Sequence, residues 1–514
     1  MLTTKIYVQA RQTPDKTAIV FNDREFSYRL FACLIEISRR YLAAQGLAGE
    51  GVVVLPTGSM VNTWVLGLAL RSLGLTTLIV SSPDEIGGLG LPEIRCVVAV
   101  AGEHRAGLDG LCADSGWRFI SVPKDIYAGA AQAAAPDLPE PMGSFGGHIL
   151  LTSGTTGAYK KFQIDPASET VLLRRPQDDR EISAQSVFNV VNFGGWTAAG
   201  YWFPASTWDA GGTVVMYQDP HPWESFRHPG ITHAFVTPRL LSQILTAAAE
   251  ALRRDDAMRL FVGSGPLSQA VWDLARQRLT SRIYTSAGAT EALQYALTPI
   301  GGPEDLRWHR ILPSREVQVV DEADRILPAG QVGRVRVRLL DGMRQSYLHD
   351  EEASRAFFRD GYFYPGDLGV FRSDGRLALH GRVTDVVNIL GSKIAAGPIE
   401  EALQHKLGVS GVCVFSVENE AAEEEIHVAI ETARPIDQTR LADALGRELQ
   451  GAPIAHVHFI AALPRNDMGK IQRDVLKKSA ASLTANGSRQ QRRRSQRLAR
   501  KASQGVRVGT AKPD

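Results

Sequence analysis

Directly after the apolar run Ile149-Leu150-Leu151 the chain reads Thr-Ser-Gly-Thr-Thr-Gly-Ala-Tyr-Lys, residues 152–160. Hydroxyls and glycines crowded into so short a loop can turn several donors toward one point. Glycine lets the backbone approach an anion closely, and Lys160 adds a mobile positive charge. Thr152, Ser153, Gly154, Thr155, Thr156, Gly157 and Lys160 are therefore candidates for cradling a polyphosphate. The spacing is not that of a Walker loop, which needs four residues between Gly and Gly-Lys. Here two residues separate Gly154 from Gly157, and Lys161 follows Lys160. By its residues alone, the stretch also reads as a polar surface turn after a strand.

Thr-Ser-Gly-Thr-Thr-Gly-x-x-Lys resembles the phosphate-loop signature of the adenylate-forming superfamily of AMP-binding enzymes: acyl-CoA synthetases, peptide-synthetase adenylation domains and luciferases. Tyr159 stands where that family usually has proline. Further stretches resemble the family's motifs, in its order. Leu260 to Leu267, with Gly263, Ser264 and Gly265, is similar to the strip that lies against adenine. Thr285 to Glu291 matches the aromatic-Gly-x-Thr-Glu motif at Gly288, Thr290 and Glu291, with Ala287 in the aromatic position. The resemblance implies that Glu291 ligates the magnesium accompanying ATP and that Thr290 bonds an α-phosphate oxygen; a carboxylate is a hard donor suited to that ion. Tyr362 to Leu368 is similar to Tyr-x-Thr-Gly-Asp-Leu, with Pro365 in the Thr position and Asp367 implied for the ribose hydroxyls.

Gly381-Arg382-Val383-Thr384 resembles the family hinge, Arg382 reaching ribose or phosphate and Thr384 replacing the usual Asp or Lys. Gly391 and Lys393 in the following loop would face the thiol. Leu463 to Arg473 resembles the closing signature Pro-(Arg/Lys)-x-x-x-Gly-Lys-Ile-x-Arg, with Lys470 as its lysine. Between these, Asn192-Phe193-Gly194-Gly195-Trp196 lies where acyl-CoA synthetases often carry His-x-x-Gly. The resemblance makes Asn192, Phe193 and Trp196 the acyl-pocket residues; the rings and nearby glycines point to a modest, apolar pocket, though each ring by itself reads equally well as core packing near a Gly-Gly bend. No Asp occurs in this stretch to hold an α-ammonium group, which favours a plain carboxylic acid over an amino acid.

The implied cofactors are ATP, Mg2+ and CoA, or the pantetheine of a carrier protein. A carboxylate oxygen attacks the α-phosphate and pyrophosphate leaves; a thiol then takes the acyl group. Lys470, Thr290 and Glu291 are the catalytic residues implied, Lys470 placing positive charge between two mutually repelling anions. Alternatives are a stand-alone adenylation domain that loads a carrier protein and a nucleotide-binding protein without catalysis.

These residues need a scaffold of some size. With 514 residues, 44% hydrophobic and 22% charged, the chain is long enough for at least two domains of ordinary globular composition. Alternating apolar strands and amphipathic helices predict an α/β fold. A helix near the N-terminus, a hairpin across Asn22-Asp23, a helix over 30–45, strands at 52–55, 75–80 and 97–100 and a helix over 61–73 open it. The large N-terminal domain, 1–381, is expected to hold mixed, mostly parallel sheets with flanking helices and a small β layer from Val317 to Leu339. The segment 382–480 is expected to be a small mobile α+β domain. Residues 101–147, rich in Ala, Gly and Pro, say little.

Cys33, Cys96, Cys112 and Cys413 show no CxxC spacing and read as reduced thiols of a cytoplasmic protein. The opening residues do not read as a signal peptide. Trp64 to Val80 is broken by Arg71 and Gly74, so it reads as a core helix and strand, not a transmembrane segment. From Ala481 to Asp514 nine Lys/Arg face one Asp, a net +8. The other 48 basic and 54 acidic residues give −6. This tail is expected to be disordered, and it has the charge to contact an anionic surface.

Overall fold

The computed structural model describes residues 1–486 apart from 57, 104–106, 138–143, 154–158, 192, 219–220, 248–251, 384, 390–391, 419–423, 433–434, 450–453 and 466–470. The chain divides into two units, Met1–Glu316 with Val337–Phe363, and Val317–Arg336 with Tyr364–Asp514.

The first unit is built on two large sheets. In one, Val52–Pro56, Thr76–Val80, Ile94–Val100, Arg118–Val122 and His148–Ser153 run parallel, and Tyr159–Ile164 closes one edge antiparallel. Its central strands are almost wholly apolar because they are buried on both faces. In the other sheet Thr17–Phe21, Val187–Asn189, Thr213–Met216, His233–Val236, Arg259–Gly263 and Ile283–Ala289 run parallel. Arg24–Ser27 and Leu293–Pro299 are its antiparallel edges. The hairpin at the N-terminus turns on Asn22 and Asp23, whose φ angles of 46° and 63° are left-handed.

Helices start where a hydroxyl can satisfy an orphan N–H: Ser27 accepts from Leu30 N, Ser59 from Asn62 N and Thr197 from Gly200 N. The helix Met60–Ser72 is buried on nearly every side, so its apolar run is core. Among the described residues no helix is long and apolar enough to cross a membrane. The segment 101–147, opaque in sequence, contributes the short helix Leu108–Asp114 and the strand Arg118–Val122.

A buried polar cluster fixes the strand that enters the phosphate loop. His148, its first residue, bonds Thr77 Oγ1 at 2.9 Å and stacks on Tyr201 at 4.4 Å between centroids. Arg71 donates to Tyr201 Oη at 2.7 Å and to Glu169 Oε2 at 2.5 Å, and Tyr201 Oη donates to Glu169 Oε1. Burial holds His148 neutral, pushing its pKa down to about 3.

In the second unit Val317–Val320 and the start of the strand Val332–Arg338 form a small layer with Asp367–Phe371 and Leu377–Arg382, the last three antiparallel in turn. A hairpin of Val386–Ile389 and Ser392–Ala395 follows. The three-stranded sheet Gly411–Glu418, Glu424–Glu431 and Ile454–Ile460 packs the helices Ala396–Leu407 and Gln438–Glu448 on one face. Leu476 and Ala480 of the helix Arg473–Asn486 pack on the other. That helix continues past residue 481, so the first six residues of the basic segment have helical backbone; 487–514 lie outside the described residues.

Candidate active site

The polyphosphate loop is the turn of a β-hairpin. His148–Ser153 pairs antiparallel with Tyr159–Ile164, bringing Thr152 opposite Lys160 and Ser153 opposite Tyr159. Lys160 therefore sits on a strand, where the sequence had read it as closing a loop. Lys161 faces the other way: buried, it donates from Nζ to Leu89 O at 2.7 Å, and its carbonyl accepts from Leu348 N at 2.9 Å. Gly154, Thr155, Thr156 and Gly157 lie outside the described residues.

Lys160 Nζ lies 3.4 Å from the ring centre of Phe357 and 5.4 Å from that of Tyr347. The ring quadrupoles hold an extended lysine in place for about 0.5–2 kcal/mol. Tyr347 in turn donates from its hydroxyl to Glu291 Oε1 at 2.7 Å, and both residues are buried. One tyrosine thus touches the two groups that the motifs single out for phosphate and metal. Tyr347 and Phe357 carry no local sequence signal; only tertiary contacts reveal them.

Glu291 follows the strand Ile283–Ala289, beside Thr290, which is half-buried. Gly288 pairs with Gln294, where a Cβ would meet Leu293 O at 2.8 Å and Gln294 Cα at 2.9 Å, so only glycine fits without a shift. Gly263 is the last residue of Arg259–Gly263 and pairs with Ser286. Ser264 then turns the chain with φ of 70°, ahead of Gly265. Tyr284 stacks on Phe261 at 5.1 Å and precedes Ala287 by an odd number of strand positions. The two side chains leave the strand on opposite faces.

Phe193 is buried against Phe235, 5.3 Å between centroids. Trp196 lies directly on Gly194, where any Cβ would overlap its ring. Trp196 also lines a small cavity of about 10 Å³ with Met60, Thr63, Trp64, Ile79 and Gly195. Such a volume holds about one water molecule. Asn192 lies outside the described residues.

In the second unit Asp367 and Arg382 are neighbours across two antiparallel strands, with Asp367 Oδ1 2.9 Å from Arg382 Nε. Arg382 also donates to Pro365 O at 2.5 Å, using the carbonyl of the residue in the Thr position. Lys393 is on the strand Ser392–Ala395, opposite Asn388. Thr384, Gly391 and Lys470 lie outside the described residues. Arg473, at the end of the closing signature, is anchored by ion pairs to Glu400 and Asp385 and donates to Val414 O at 3.2 Å.

Among the described residues no group of three His, Cys, Asp or Glu could hold a metal ion. A single buried carboxylate with a neighbouring hydroxyl fits magnesium that arrives with a nucleotide, because phosphates and water supply its other ligands.

The family model described as AMP-binding enzyme matches residues 139–348. Triostin synthetase I from Streptomyces triostinicus is 24% identical over 525 residues, covering 93% of this chain and 94% of that protein. A 2-succinylbenzoate–CoA ligase from Listeria monocytogenes is 24% identical over 504 residues, covering 93% of this chain and 99% of that protein. Among solved structures, Bacillus subtilis O-succinylbenzoate coenzyme A synthetase with ATP and magnesium ion matches with a TM-score of 0.77 at 20% identity. It covers 92% of this chain and 99% of its own. The α/β architecture is that of the adenylate-forming enzymes. The motif order, the model matched over residues 139–348 and the shared fold agree: the chain is similar to the adenylate-forming AMP-binding enzymes and has their fold.

Proposed function

We propose that this chain is a cytoplasmic AMP-forming acid–thiol ligase that activates a small carboxylic acid with ATP and passes the acyl group to CoA. The observation that carries the reading is the meeting of Lys160 and Glu291 on Tyr347. Residues 131 positions apart, each assigned by a different motif, reach one side chain.

The acid needs no general base, since its carboxylate is already ionised. Its oxygen bonds to the α-phosphorus of ATP as the bond from that phosphorus to the bridging oxygen breaks, and pyrophosphate leaves with the electron pair. Lys160 can exchange its aromatic face for a β- or γ-phosphate oxygen, with Thr152 to Gly157 supplying donors. Magnesium, when bound, neutralises charge developing on the phosphates. Glu291 would hold it, oriented by the Tyr347 hydroxyl, and Thr290 would bond an α-phosphate oxygen. Asp367 and Arg382 are assigned to ribose, and Lys470 to the charge between carboxylate and α-phosphate. A thiolate then attacks the acyl carbon and AMP departs, with Gly391 and Lys393 assigned to the thiol side. The division into 1–381, 382–480 and the tail 481–514, with its pivot near Arg382, belongs to the same proposal. Four buried, unpaired cysteines accord with a reducing compartment.

Supplying ATP, Mg2+ and a panel of acids with either CoA or a holo-carrier protein tests the acceptor. Thioester on CoA is expected. Thioester on the carrier alone would turn the reading to a stand-alone adenylation domain, and none on either would reject it.

A further inference from the structure

Arg180 ends the helix Arg174–Arg180 inside the first unit, only 4% exposed. Its guanidinium lies over Phe203 at 4.6 Å and Phe261 at 5.1 Å, and Nη2 donates to Gln294 Oε1. Two buried donors are left without partners, Arg180 Nε and Gln294 Nε2. A second buried arginine, Arg315, donates from Nη2 to Ala292 O at 2.7 Å, while its Nε and Nη1 have no acceptor. Asp179 is the acidic neighbour of both arginines, yet among the described residues it makes no ion pair with either.

A buried guanidinium with unfilled donors and no ion-paired carboxylate is costly, and arginine cannot readily shed its charge. Burial drives both arginines down to about 10 against the opposing pull of Asp179. Buried donors of this kind call for a partner. One water offers two lone pairs, whereas a carboxylate offers about four acceptor sites.

The position of these donors says what that partner is. Gln294 lies three residues beyond Glu291 and directly opposite Gly288 across the antiparallel strands. Directly opposed residues sit about 4.5–5.5 Å apart at Cα. Gly288 is exposed, and its lack of a Cβ lets the backbone of Leu293 and Gln294 pass close beside it. Phe261, beneath Arg180, is two residues before Gly263 of the adenine-type strip. The unpartnered donors therefore lie at the two strands, Arg259–Gly263 and Leu293–Pro299, that flank the strand Ile283–Ala289 leading into Thr290 and Glu291.

We infer that the acid activated at this site carries a second anionic group, that the substrate class is a dicarboxylate, and that Arg180 and Gln294 receive its distal carboxylate. This rests on the acid-activating reading and departs from the plain apolar pocket that the sequence implies. Arg315 strengthens the local positive field, and the carboxylate left for activation lies toward Thr290 and Glu291.

Length-matched pairs test it: succinate against butyrate, glutarate against pentanoate, phthalate against benzoate. In acid-dependent ATP–pyrophosphate exchange, kcat/KM is expected to favour a dicarboxylate by about a hundredfold or more, because a site built for a polar group rejects analogues that lack it. Arg180→Met and Gln294→Leu should each collapse that ratio at least tenfold. Should Arg180→Met fail to fold by circular dichroism, Gln294→Leu on a half-buried residue carries the test. Calorimetric titration with the same acids, without ATP, gives a second readout. Dicarboxylates should bind and their matched monoacids should not, and Gln294→Leu should lose the difference. If no acid supports exchange, the adenylation reading has failed and calorimetry alone decides the anion site. Equal binding of both members of each pair, a preference unmoved by Gln294→Leu, or sulfate binding with no dicarboxylate preference would overturn the inference.

Discussion

Two buried arginines in the same unit have opposite surroundings. Arg71 is saturated: Glu169 and Tyr201 accept from it, and their attraction outweighs burial and raises its pKa. Arg180 is starved: it has aromatic faces, one amide oxygen and an unpartnered Nε, and its pKa falls to about 10. A buried charge with its counter-charge in place is scaffold, here locking the strand that feeds the phosphate loop. A buried charge without one is poised for something that arrives. Glu291 lies between these cases, with one neutral donor, Tyr347, on one oxygen.

The largest effect should come from emptying the saturated cluster. Glu169→Ala leaves the Arg71 charge uncompensated and should cost about 3–5 kcal/mol of stability in urea unfolding. A loss below about 1 kcal/mol would mean that solvent reaches Arg71 and the contrast is false.

Glu291→Gln keeps shape and removes charge. Acid-dependent pyrophosphate release should drop about 100- to 1000-fold, as when one preorganised electrostatic contact is lost. Parental release would remove Glu291 from the mechanism and leave its bond to Tyr347 structural.

Acid should act on the saturated region through His148. Its folded pKa of about 3 lies below the unfolded value near 6.5, so the unfolded state binds more protons between these limits. Stability is then unaffected by this group above pH 6.5 and falls as pH drops toward 3, by up to about 1.4 kcal/mol per pH unit. His233, pushed down to about 4 by burial, adds in the same direction. Unfolding free energies measured at pH 7, 6 and 5 should decline in that order; replacing His148 with Gln should flatten the slope.

The smallest effect is expected at the starved site. Arg180→Met, without ligand, should change stability by less than about 1 kcal/mol, since it removes an uncompensated charge along with one hydrogen bond. A loss matching that of Glu169→Ala would show Arg180 to be scaffold as well.

Much of this architecture was legible in sequence. Continuous apolar runs such as Val52-Val53-Val54-Leu55 could only be buried strands, and the observed strand is Val52–Pro56. Tyr159–Ile164 was hidden because Lys160 and Lys161 look like loop residues. Pairing with His148–Ser153 and a carbonyl at Leu89 make a buried lysine tolerable there. Leu293–Pro299 was masked by its Gln and Thr, which an edge strand accommodates. Lys160 and Glu291 could be singled out because each lies in a motif with its own spacing. Tyr347, Phe357, Arg180 and Gln294 could not, since their roles consist of contacts between segments far apart in the chain.

Phosphorus NMR of ATP incubated with this protein, Mg2+, CoA and a mixed panel of mono- and dicarboxylic acids tests adenylation most directly. AMP and pyrophosphate should accumulate together, in equal amounts and only when acid is present. ADP with orthophosphate, or acid-independent turnover, would contradict the account.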